Sequence, residues 1–199
     1  FAVRLTDLLF RDQGLVVADM SAPAFKKAFI PIIKKEIFEQ PSVALVEATQ
    51  KALEGADLKP QAMARPINFF YTGSGDRLRI DQEGDDFVVL DTNIKFTKDE
   101  LTSEIENHPE FFSPNVVMRP IFQEFIFPNL AYIGGGGEIA YWLERKSQFE
   151  AFELNFPMLI RRNSGMVIDK GSNKKMVKIS LTLDNIFNDT DSIITEYLE

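Results

Sequence analysis

Asn129-Leu130-Ala131-Tyr132-Ile133-Gly134-Gly135-Gly136-Gly137-Glu138-Ile139-Ala140-Tyr141-Trp142 decides the fold class of this chain. It reads as a short buried strand, four glycines and the start of a helix. A strand that turns into a helix through glycine leaves backbone N–H groups unpaired at a helix N-terminus, where the macrodipole also favours negative charge. Phosphate, carboxylate or an oxyanion suits such a place. The helix is expected to run to about Phe152, with Glu138, Tyr141 and Arg145 on one side and Ile139, Trp142, Leu143 and Phe149 on the other.

Around this element the periodicity alternates. Phe1 to Asp12 has the apolar spacing of an amphipathic helix. Leu15 to Ala18 reads as a buried strand. Phe25, Ala28, Phe29, Ile32, Ile33 and Ile37 keep helical phase across Pro31, which predicts a kinked or restarted helix. Another helix runs from Pro41 to about Glu54. From Ile67 the period falls to two: Ile67–Tyr71, Arg77–Ile80, Phe87–Leu90 and Ile94–Phe96 form an antiparallel meander around Gly- and Asp-rich turns. Thr97-Lys98-Asp99-Glu100 is a capping box opening a helix to about Asn107. Phe111 to Arg119 is a loop or short strand before a Pro120-started helix, and Pro157 to Ile160 is a further buried strand. Helix and strand alternation on both sides of the glycines indicates an α/β fold with a mostly parallel sheet, flanking helices and a small antiparallel β-meander insertion. The expected division is an α/β body in 1–66 and 97–165, the insertion in 67–96, and in 166–199 a connector and the start of a helical segment.

Composition removes several functions. The chain has 199 residues, 45% of them apolar and 26% charged, with 18 Phe and a net charge of −8. That is a globular balance, and the acidity argues against a nucleic-acid partner. There is no Cys and one His, His108. Thiolate nucleophiles, Cys-ligated zinc and a His-pair metal site are therefore excluded, and no metal is expected. His108, next to Pro109 at a helix end, is read as a cap. No apolar run reaches the ~20 residues of a membrane span. The cysteine-free composition fits an intracellular protein, so the expected location is cytoplasmic. The start on Phe1 and the helix-like end at Asp191–Glu199 suggest a piece of a longer protein.

Two motifs offer competing chemistry. Gly135-x-Gly137-x-x-Ala140 fits a dinucleotide fingerprint, and Arg161-Arg162 after the next strand could hold the 2′-phosphate of NADP. The unit lies late in the chain, however, and four glycines satisfy such patterns cheaply. Lys175-Met176-Val177-Lys178-Ile179-Ser180 resembles the lysine loop of class I aminoacyl-tRNA synthetases, beside the simpler reading of a solvated basic turn. Glu138 is either a first-turn glutamate favoured by the dipole or a group that holds an ammonium or moves a proton. Ser113-Pro114-Asn115-Val116-Val117-Met118-Arg119 is either a connection or the segment that delivers Asn115 and Arg119 to the glycines.

Taken together, His108-Pro109-Glu110-x-Phe112-Ser113-Pro114-Asn115-Val116-x-x-Arg119-Pro120-x-x-Gln123-Glu124 and Pro128-x-x-Ala131-Tyr132-x-Gly134-Gly135-x-Gly137-Glu138-Ile139-Ala140-Tyr141-Trp142 resemble the BshC family of bacillithiol biosynthesis. The family usually carries proline where this chain has Gly136, and Pro-Arg-x-Ser where this chain has Arg161-Arg162-Asn163-Ser164. The resemblance implies a Rossmann-like body and a ligase that adds cysteine to glucosaminyl-malate. It implies that the chain is a middle fragment, inactive alone, whose parent supplies missing N- and C-terminal parts and pairs as a homodimer through a coiled coil. Gly134, Gly135, Gly136, Gly137, Asn115 and Arg119 are then the candidate substrate- or anion-binding residues, with Glu138 and Tyr141 as catalytic candidates. Adenylate, phosphate and direct routes to the amide are all open, so ATP or another adenine nucleotide is a candidate cofactor. The rivals are an NADP-dependent oxidoreductase domain and a non-catalytic scaffold module.

Overall fold

The computed structural model describes residues 1–56 and 58–198. In chain order the elements are α1 (Ala2–Phe10), α2 (Pro23–Ala28), α3 (Ile30–Glu39), α4 (Pro41–Glu54), β1 (Phe69–Tyr71), β2 (Leu78–Glu83), β3 (Asp86–Val89), β4 (Lys95–Phe96), α5 (Lys98–Asn107), β5 (Phe112–Pro114), α6 (Arg119–Ile126), β6 (Ala131–Gly134), α7 (Gly136–Leu143), α8 (Lys146–Ala151), β7 (Met158–Arg161), α9 (Lys170–Lys178) and α10 (Thr190–Leu198). The chain divides into two compact units, Phe1–Arg162 and Asn163–Glu199. The first holds the core and the site; the second contains α9 and α10.

The larger sheet corrects the expectation of a mostly parallel one. Its five strands lie in the order β4-β3-β2-β1-β5, and every pairing is antiparallel. Tight turns join β1 to β4, and such turns permit only antiparallel neighbours. The chain then returns through α5 to lay β5 against β1, with Phe70 opposite Ser113. The parallel character is confined to β6 and β7, paired from Ala131↔Met158 to Gly134↔Arg161, with α7 and α8 as the crossover that parallel pairing requires.

Local signals account for the helices. Thr97 and Glu100 close the capping box in full: Thr97 Oγ1 accepts the Glu100 N–H, and the Glu100 carboxylate accepts the Thr97 N–H at 2.8 Å. The helix interrupted at Pro31 restarts, α2 ending at Ala28 and α3 beginning at Ile30. Their apolar face builds the core. Phe29 meets the rings of Phe69, Phe122 and Phe125, and Ile33, Ile37, Leu101, Ile105, Phe112, Trp142 and Phe149 are fully buried around it. Each such side chain contributes about 1.5–3 kcal/mol by leaving water.

Other expectations fail for want of a packing partner. Leu15 to Ala18 forms no strand, and Leu15 and Val16 are exposed. The glycine-headed helix stops at Leu143 and resumes as α8, so it does not run unbroken to Phe152. Arg145 falls in that break and is fully buried against Glu144, away from the polar face assigned to it, while Leu143 is exposed. The Lys175–Lys178 segment is the last turn of α9, not a basic turn. β6 and β7 are buried on one face only. Tyr132 and Leu159 face the core, whereas Ile133 (64% exposed), Met158 (66%) and Ile160 form a bare apolar surface on the other side.

Candidate functional site

β6 ends at Gly134 and α7 begins at Gly136, with Gly135 as its extended N-cap at φ −69°, ψ 165°. The four glycines are held by different constraints. A Cβ on Gly134 would come within 2.7 Å of Tyr132 Cε1 and 3.2 Å of Glu138 Cβ, so only hydrogen fits there. A Cβ on Gly135 would meet Arg162 Nη2 at 3.1 Å, the movable end of a long side chain. At Gly136 and Gly137 a Cβ would meet nothing within 4 Å. Gly136 and Gly137 are exposed in the first turn of α7, where helical N–H groups have no intrahelical acceptor.

Glu138 occupies part of that helix end. Its carboxylate accepts the Gly135 N–H at 2.9 Å and the Tyr132 hydroxyl at 3.0 Å, and lies 3.8 Å from Arg162 Nη1. Gly135 has no side chain to return the bond, so this is half of a capping box. The Gly135 N–H bond, then the Tyr132 bond, holds the Glu138 carboxyl below its ordinary value near 4.5, with Arg162 and Arg119 adding to the effect.

Arg119, the first residue of α6, reaches the same place. Its Nη2 donates to Tyr141 Oη at 2.5 Å and Tyr132 Oη at 3.5 Å, and its Nη1 donates to Gln123 Oε1 at 3.0 Å. Burial lowers the guanidinium pKa, but the hydrogen bonds to Tyr141 and Tyr132 outweigh it and leave the net shift upward. Tyr132 is pushed up, first by burial, with the Glu138 bond raising it and the Arg119 bond opposing. Its ring stacks on Trp142 at 4.0 Å. The result is one hydrogen-bonded chain, Arg119–Tyr132–Glu138–Gly135, with Tyr141 on its cationic end. It offers a fixed fork, two phenols and a carboxylate beside the Gly136 and Gly137 amides, which have no acceptor among the described residues, a set able to orient an anion and an ammonium together.

The structure thus brings together Gly134, Gly135, Gly136, Gly137, Glu138, Tyr141 and Arg119. Asn115 is engaged elsewhere: Oδ1 accepts the N–H groups of Val117 and Met118, and Nδ2 donates to Asn68 Oδ1 at 2.9 Å. It organises the chain entering α6, which aims Arg119. His108 caps α5 and stacks on Phe111. Sequence reasoning passed over Tyr132, since an aromatic residue inside a strand reads as core, and Gln123, whose role depends on the helix turn it shares with Arg119.

A family model described as bacillithiol biosynthesis BshC, N-terminal Rossmann-like domain, matches residues 1–163. Curated relatives, each named provisionally as cysteine ligase BshC, include one from Flavobacterium johnsoniae, 44% identical over 190 residues, which cover 96% of this chain and 36% of that protein. One from Cytophaga hutchinsonii is 41% identical over 179 residues, covering 90% of this chain and 34% of that protein. One from Chlorobaculum tepidum is 32% identical over 190 residues, covering 94% of this chain and 32% of that protein. The chain spans about a third of the length of the relatives it matches. The match assigns residues 1–163 to the family's N-terminal domain, which corrects the expectation of a middle fragment. These relatives do not favour the NADP-dependent oxidoreductase alternative. No helix among the described residues is long and apolar enough to cross a membrane.

Proposed function

The chain belongs to the BshC family of bacillithiol biosynthesis, and from that membership we propose that it forms part of a ligase joining the carboxyl group of cysteine to the amine of glucosaminyl-malate. The observation that carries the reading at this site is the convergence of Arg119, Tyr132, Tyr141 and Glu138 on the glycine head of α7. In the proposal, the Gly136 and Gly137 amides and Arg119 hold an anionic group of substrate or nucleotide. Glu138 holds the ammonium of the reacting amine and receives its proton, and Tyr141 fixes the Arg119 fork.

The uncovered face of β6 and β7 supports the fragment part of the proposal. Parallel strands are ordinarily covered on both faces. Ile133, Met158 and Ile160 await a cover that the remaining two-thirds of the parent would supply, and 166–199 would lead into a coiled coil that pairs subunits. The body in 1–66 and 97–165, with 67–96 as an appended β unit, is the proposed domain plan. ATP or another adenine nucleotide would supply the activation that a carboxylate needs before an amine can displace oxygen from it.

The test is an assay of the full-length protein with cysteine and glucosaminyl-malate, with and without ATP, read by mass spectrometry. The expected result is the amide product, formed only with intact Arg119. Absence of product under every nucleotide condition overturns the proposal.

A further inference from the structure

Lys26, on α2, is a lysine in the wrong place for a surface helix residue. It is only 6% exposed. Its Nζ donates to the Phe112 carbonyl at 2.8 Å and lies 5.1 Å from the centre of the Phe122 ring. Among the described residues no carboxylate pairs with it. The charge acting on it is Arg77, another cation, which is itself bonded to Ser113 Oγ and the Pro114 carbonyl. Burial, then Arg77, pulls the Lys26 amine down to about 8. Buried charges in proteins are paired, because an unpaired one loses its hydration without compensation.

A cavity of about 470 Å³ borders this amine, within the range that holds small ligands. Lys26 and Arg119 reach it from α2 and α6, Thr72, Ser113 and Gln123 add neutral polar groups, and Phe122 supplies an apolar wall. Glu110 also borders it; its side chain is 42% exposed and its carboxylate lies 3.6 Å from His108 Nδ1. The cavity is therefore lined by two cations and one carboxylate, the latter beside His108. Two of the three Lys26 N–H groups have no acceptor among the described residues.

We propose that this cavity is a binding site for a small carboxylate, whose oxygens give Lys26 its missing counter-ion while Arg119 holds the far side. The site is separate from the amides at the head of α7 but shares Arg119 with them. A ligand here would thus lie next to the group bound there. The cavity stands on its own observations; it rests on the ligase reading only in the choice of malate as the probe.

The experiment is isothermal titration of L-malate, and separately of inorganic phosphate, into the full-length protein and its Lys26→Met variant. Malate is expected to bind saturably and to weaken by at least about tenfold in the variant, the loss of a charge-assisted bond. A second measurement needs no variant: reductive methylation followed by peptide mass spectrometry, in which saturating malate protects Lys26 but not the exposed Lys59. Equal malate affinity in K26M, unchanged Lys26 labelling, or saturable binding of phosphate but not malate each overturns the proposal. Because binding is read directly, a ligase assay that fails while malate protects Lys26 sinks only the ligase reading. A working ligase with unprotected Lys26 sinks only this one.

Discussion

Glu138 accepts the backbone N–H of Gly135 at 2.9 Å, so the outermost amide of the glycine turn is already bonded to a carboxylate of the same helix. A ligand anion is left with the Gly136 and Gly137 amides and must approach beside a negative charge. The Tyr132 hydroxyl, Arg162 and, at longer range, Arg119 offset that charge. In the proposed function the glycine turn is one half of a mixed site, the half that complements an anion, with Glu138 beside it for a cation.

Replacing Glu138 with Gln removes the charge and retains one acceptor for the Gly135 N–H. In the folded protein the Glu138 pKa is depressed, so its contribution to stability is present above the ordinary value near 4.5 and fades as pH falls through the lowered one. The wild type is expected to exceed E138Q by a few tenths of a kcal/mol near neutral pH, a value reduced by solvent screening of this partly exposed group. The two are expected to converge in acid. Denaturant melts from pH 3 to pH 7, read as the difference between the proteins, check this; a constant difference across the range would contradict it.

Gly136 and Gly137 separate steric from chemical demand, since neither Cβ would touch protein. Gly136 is the first helical residue, a position where proline is favoured. Gly136→Pro should raise stability by about 0.4–1 kcal/mol through the unfolded chain. Because proline has no N–H, the same variant removes one of the two proposed amide donors and should raise KM for the ligand they hold. Gly137→Val places bulk in the space the ligand would use. It should fold normally yet raise KM about tenfold or more, an effect on the order of 1.4 kcal/mol. A Gly137→Val enzyme with wild-type kinetics would remove the amides from the site.

Sequence and structure agree where the cause is local. The capping box at Thr97 and Glu100, the helix restart that places Pro31 in its first turn and the strand–glycine–helix order each depend on residues within a turn of one another. They disagree where the cause is distant. Nothing near Leu15 to Ala18 says that no partner will cover them, and an apolar run of that length is ambiguous by itself. The antiparallel meander is legible from its turns; that it gains β5 beside β1 and becomes the larger sheet is a contact that only the assembled core fixes. The candidate site divides the same way. Glu138 and the glycines are legible as a helix head, and Arg119 as a basic residue before a helix. Lys26 is not legible at all, because a lysine on a short helix reads as solvent-facing until Phe112 and Phe122 close around it. Asn115 carries the right chemistry for a site, but its bonds to Val117, Met118 and Asn68 are made inside the fold.

Glu36 gives the interior its own pH dependence. It is fully buried, its carboxyl accepting Ser42 Oγ at 2.6 Å and Asn68 Nδ2 at 2.7 Å. Burial drives its pKa up to about 7, against the lowering effect of those bonds. In the unfolded chain the group ionises near 4.5, so between about pH 4.5 and 7 the folded state holds a proton that the unfolded state has lost. Stability therefore falls as pH rises through that window and levels off above it. Glu36→Gln keeps the shape and stays neutral. One N–H of the new side-chain amide can donate to Ser42 Oγ, whose hydroxyl is free to turn toward Met118 Sδ, now 3.6 Å away. The variant is expected to be more stable than wild type above pH 7, by on the order of 3 kcal/mol, and equal to it below pH 4.5. Unfolding midpoints of both proteins from pH 4 to pH 8 test this. A wild type whose excess stability grows with rising pH would show that Glu36 is ionised and paired in the fold.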